Sequence, residues 1–77
     1  MNKKLSRSFN MIEAKRTREG DVVLHCEGRG NQIWTRGTYF FINDKRYFRL
    51  WSADSSGRAL QSMVHENDRV GFISRNS

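Results

Sequence analysis

The chain has 77 residues, a formal net charge of +6 and 36% hydrophobic residues, which is material for one small domain and no more. Its single cysteine, Cys26, excludes an internal disulfide and suits a reducing compartment. No apolar run approaches the ~20 residues that a membrane-spanning helix needs. The opening MNKKLSRSFN is basic but has no apolar stretch behind it, so a signal peptide is not expected. A cytoplasmic protein without a membrane partner is the expectation. Cys26, His25 and His65 show no CxxC or HxxxH spacing, so a structural zinc, which wants four ligands, is not expected either. No phosphate-binding loop or dinucleotide fingerprint is present, and no cofactor is implied.

The charge is unevenly placed. Residues 1–18 hold six basic side chains against Glu13 alone, whereas residues 19–77 hold eight basic and seven acidic ones. Residues 1–18 therefore read as a basic N-terminal arm or first strand, and 19–77 as a single small β domain. Lys3, Lys4, Arg7, Lys15, Arg16 and Arg18 are candidates for phosphate contacts, because cations release the counterions condensed on a nucleic acid. The competing reading is a solvated tail that keeps a small protein soluble. Within this segment Leu5, Phe9 and Ile12 recur at helical spacing. Phe9–Lys15 also reads as a strand pairing with Val22–Cys26 across TREGD. The strand is preferred, since five polar residues ending in Gly-Asp suit a hairpin loop.

Further along, Val22–Cys26, Ile33–Ile42, Arg46–Trp51 and Val70–Ser74 are short β-branched or aromatic runs between Gly- and Asp-rich clusters, the pattern of strands. In GRALQSMVHE, Ala59, Leu60, Met63 and Val64 fit one side of a short helix, while Leu60, Ser62 and Val64 alternate as in a strand. The helix, near 57–66, is preferred. The fold class expected is mainly β: a small antiparallel sheet or partly open barrel of SH3-like or OB-like size.

The densest signal is IWTRGTYFFINDKRYFRLW, residues 33–51, with seven aromatic and four basic side chains in nineteen. A two-residue Asn43-Asp44 turn would oppose Ile42 to Lys45 and Phe40 to Tyr47. Tyr39, Phe41, Phe48 and Leu50 would then form a core wall, with Arg46 near the turn. Arg36, Thr38, Phe40, Ile42, Lys45, Tyr47, Arg49 and Trp51 would share the other face. A three-residue loop would send Phe40, Ile42, Phe48 and Leu50 inward and Tyr39, Phe41, Tyr47, Arg49 and Trp51 outward. In either register at least three rings share a face with Arg49. Rings interleaved with guanidinium groups can stack on bases while contacting phosphates. Arg36, Tyr39, Phe40, Arg46, Tyr47, Arg49 and Trp51 thus complete the candidate nucleic-acid-binding set. Intramolecular packing of the same rings is the competing explanation, because a small domain has few other ways to bury area.

Evidence for an enzyme is thin. His25 and His65, with Glu66 or Asp68, could serve as an acid–base pair of the small-ribonuclease kind. Adjacent His25 and Cys26 point to opposite faces of a strand and make a poor nucleophile–base pair. No catalytic residue is assigned. The expected function is a small basic nucleic-acid-binding module, with single-stranded RNA or DNA favoured. The alternative is a small regulator or inhibitor, of phage or mobile-element type, whose aromatic patch anchors a protein. A homodimer is compatible with both.

Overall fold

The computed structural model describes residues 9–26 and 31–75. They form six strands, β1 (Asn10–Glu13), β2 (Val22–Cys26), β3 (Asn31–Ile42), β4 (Lys45–Ala53), β5 (Ala59–His65) and β6 (Arg69–Ser74), with one 3-10 turn at Ala14–Arg16. All lie in a single antiparallel sheet of order β1-β6-β2-β3-β4-β5. Its two edges, β1 and β5, do not pair with each other, so the sheet is open. The mainly β class is as the sequence indicated.

The short helix expected near 57–66 is not formed. Ala59–His65 is a strand whose partners run from Tyr47↔His65 to Ala53↔Ala59. Alternation prevails over helical spacing because the sheet supplies an apolar wall on one side only: Val64 is buried while Gln61 and Met63 are exposed. The N-terminal segment also differs from expectation. Its strand is Asn10–Glu13, and it pairs with β6, Ile12 opposite Val70, instead of with β2. TREGD therefore does not close a hairpin. Residues 14–21 cross the inner side of the sheet. Backbone bonds tie Ala14 and Lys15 to Asp68 and Glu66 at one end, and Gly20 and Asp21 to Arg36 at the other.

That crossing lids a core of Ala14, Val23, Trp34, Phe48, Leu50, Val64 and Val70, with Ile12 and Leu60 packed against it. The segment is pinned by Asp21, whose side chain is 1% exposed and accepts from the Arg18 backbone N–H and the Arg75 guanidinium. Burial would raise its carboxyl, but these hydrogen bonds and the two nearby cations outweigh it and hold the group below the ordinary carboxylate value.

Candidate nucleic-acid interface

The β3–β4 hairpin turns at Asn43 and Asp44, both at positive φ (51° and 66°), the backbone of a two-residue turn whose twist matches the strands. The register is Ile42↔Lys45, Phe41↔Arg46, Phe40↔Tyr47 and Tyr39↔Phe48, the first of the two registers considered. It does not continue unbroken. Arg36 faces Leu50 while Tyr39 faces Phe48, so Gly37 and Thr38 together oppose Arg49. This is a β-bulge, and it moves every residue before it to the other side of the sheet. Gly37 is suited to it: a Cβ there would lie 3.3 Å from the Arg49 carbonyl oxygen and 3.5 Å from the Trp51 ring.

The outer face of the hairpin gathers Phe40, Tyr47, Arg49 and Trp51. Phe40 and Tyr47 stack across the strands at 6.0 Å between centroids, and His65 meets the Tyr47 ring edge-on at 5.2 Å. The Arg49 guanidinium sits 5.1 Å over the Phe40 ring. Two residues further along β4, Trp51 is 51% exposed. Ile33 and Met63, also exposed, are diagonal to Trp51 on the neighbouring strands. Lys45 adds a second cation beside the turn. β3, β4 and β5 contain no aspartate or glutamate at all; the carboxylates around them, Asp44, Asp54 and Glu66, lie in turns.

Arg36, Arg46 and Tyr39 belong to the inner face. The sequence reading grouped Arg36 with the outer rings, and the bulge corrects that placement. Arg36 is 8% exposed and lies 3.8 Å over the Phe48 ring. It donates to the Thr17 hydroxyl and to the Thr17 and Gly37 carbonyls. Burial lowers its pKa, yet a guanidinium remains charged at neutral pH. Arg46 lies over Tyr39 and Phe48 and is ion-paired to Glu66 at 2.8 Å. Tyr39 and Phe41 extend past the core on this side, 51% and 61% exposed, in edge-to-face contact. Rings thus emerge on both faces of the hairpin tip.

Lys15, Arg16 and Arg18 are exposed, but the segment carrying them closes over the inner face, where Thr17 binds Arg36. They are not brought to the outer rings, and Arg16 pairs with Glu13 at 3.6 Å. Lys3, Lys4 and Arg7 lie outside the described residues. His25 and His65 sit on β2 and β5, with β3 and β4 between them. The registers place them at opposite ends of those strands, His25 opposite Gln32 and His65 opposite Tyr47, well beyond the ~14 Å of three strand spacings. The sheet therefore does not join them as an acid–base pair. Among the described residues no cluster of three or more His, Cys, Asp or Glu side chains could hold a metal ion, and no helix is long and apolar enough to cross a membrane.

Sequence reasoning missed Ile33, Met63 and His65 as neighbours of the ring face. The alternation in 59–65 was the signal for the last two. Comparison with protein families, curated proteins and solved structures finds no match, so the functional reading rests on the geometry of this face.

Proposed function

We propose that the protein is a non-enzymatic binding module for single-stranded nucleic acid, RNA or DNA, and that it binds through the outer face of β3–β5. One observation carries this reading: Phe40, Tyr47, Arg49 and Trp51 are co-facial, Arg49 and Trp51 exposed and Phe40 and Tyr47 partly so, on strands that hold no carboxylate. Stacking on such rings contributes about 1–3 kcal/mol per base and tolerates any base. Tyr47, Arg49 and Trp51 alternate along one strand, which spaces them about 7 Å apart. A base on Trp51 and another on the Phe40–Tyr47 pair would leave Arg49 between them, facing the connecting phosphate. Lys45 and the basic N-terminal residues Lys3, Lys4 and Arg7 supply further phosphate contacts. Lys15, Arg16 and Arg18 contribute long-range attraction.

Fluorescence separates the two tryptophans. Trp34 is 4% exposed and Trp51 51%, so titration with an oligonucleotide quenches Trp51 first. Affinity falls steeply with salt, by a log–log slope of about 0.7 per phosphate contacted. Absence of quenching at low salt would overturn the reading.

A second reading has its own support. Tyr39, Phe41 and Ile42 are exposed at the hairpin tip, away from the Trp51 end of the platform. A protein partner would anchor there, with little dependence on salt. Retention of one protein after nuclease treatment, lost on Phe41→Ala and kept on Trp51→Ala, would favour it.

A further inference from the structure

The open sheet has two edges, and they are differently built. β1 is four residues long, carries Glu13 opposite Arg69, and runs directly into the 3-10 turn. Short length and charge are the usual means of protecting an edge from further pairing. β5 has neither. Its seven residues, ALQSMVH, include no Lys, Arg, Asp, Glu or Pro, and among the described residues no strand lies beyond it.

We infer that the β5 edge pairs with β5 of a second copy, antiparallel about a two-fold axis at Ser62. Two features of the strand select this register, the overlap of all seven residues and the placing of Arg58 against Glu66 of the partner subunit. The shared facing of opposed residues is that of any antiparallel pair. A two-fold at Ser62 opposes Leu60 to Val64 of the partner subunit and Gln61 to Met63 of the partner subunit. Each opposed pair then has the same facing: Leu60 and Val64 are inward and at least half-buried, and Gln61 and Met63 are outward and exposed. All seven residues find partners only in this register. Immediately outside the strand, Arg58 comes opposite Glu66 of the partner subunit, on the inner side, at both ends of the interface. Glu66 already pairs with Arg46 of its own chain, so Arg58 joins an existing ion pair at each end of the interface. The match fixes the register more than it relieves the repulsion between two chains of net charge +6. Each outer platform continues onto the other across the axis. The inference is independent of the nucleic-acid reading, and its test uses no nucleic acid.

Sedimentation of the full chain from low micromolar to near-millimolar concentration is expected to show a monomer–dimer equilibrium. Gln61→Lys combined with Met63→Lys places like charges at both opposed outer pairs without touching the core, and weakens the dimer by about tenfold or more. Ser62→Cys in a Cys26→Ser background cross-links the dimer on mild oxidation. Residues at the axis lie about 4.5–5.5 Å apart between Cα atoms, within disulfide reach. Ala59→Cys in the same background does not cross-link, since its two copies are about 20 Å apart in this register. A strict monomer at near-millimolar concentration overturns the inference. So does a dimer that tolerates the double lysine variant, or one that cross-links no better through position 62 than through position 59.

Discussion

The two faces of the β3–β4 hairpin are made from the same residue types and have opposite fates. Inward, Phe48 and Leu50 are fully buried, and a guanidinium, Arg36, is enclosed with them against ring and carbonyl groups. Outward, Tyr47, Arg49 and Trp51 repeat the ring–cation pattern with nothing from residues 14–21 laid over it. Ring and arginine content therefore does not distinguish core from candidate binding surface. What distinguishes them is which side the crossing segment covers.

The contrast breaks most severely at Phe48. Phe48→Ala should cost about 3–5 kcal/mol, a large share of what a domain of this size possesses, because it also strips Arg36 of the ring it lies on. Urea unfolding measures it. A smaller loss is expected at Asp21, which fastens the covering segment. Its folded pKa lies below its ordinary value of 3.8, so its stabilisation is fully present above that value and disappears as pH falls through the lower folded one. Asp21→Asn should be less stable at neutral pH and lose little more on acidification across that range, which thermal unfolding against pH will show.

On the outer face the effect moves from folding to binding. Trp51→Ala should change stability by no more than about 0.5 kcal/mol and weaken oligonucleotide binding by about 1–3 kcal/mol. Equal losses in both assays would mean that the two faces are not functionally distinct. Arg49→Ala sharpens the comparison by lowering the salt slope by about 0.7, whereas Arg46→Ala, already committed to Glu66, should leave that slope unchanged. The smallest effect is at the turn. Asp44→Gly relieves a left-handed side-chain conformation and should stabilise the hairpin by about 1 kcal/mol, and loss of the carboxylate beside Lys45 should slightly strengthen oligonucleotide binding at low salt.

Several of these features were legible in the residues themselves. β2, β3, β4 and β6 appear as β-branched and aromatic runs, and Asn43-Asp44 marks the turn but leaves two registers open, of which the structure takes the two-residue one. That Tyr47 and Trp51 share a face with Arg49 holds in both registers, whereas the pairing of Phe40 with Tyr47 is decided by the turn the structure adopts. Arg36 was assigned to the wrong side because face alternation is a parity rule. One extra residue at Gly37–Thr38 reverses it, and a glycine marks a bulge without fixing where the parity changes. The 59–65 segment was misread because seven residues span too little chain for periods of 2 and 3.6 to separate. The partner of β1 was misassigned because adjacency along the chain favours a hairpin. Here the bonds of residues 14–21 to the β5–β6 turn and to Arg36 carry the chain past β2 instead.

By itself, then, the sequence determined a small basic β domain built around one aromatic hairpin, since strand alternation and turn chemistry are local properties of the chain. Only the tertiary structure decided which rings are covered, which arginine is enclosed and which sheet edge is left without charge. Those outcomes depend on where a distant segment crosses the sheet and on which strand ends the order, and neither is encoded within any single stretch.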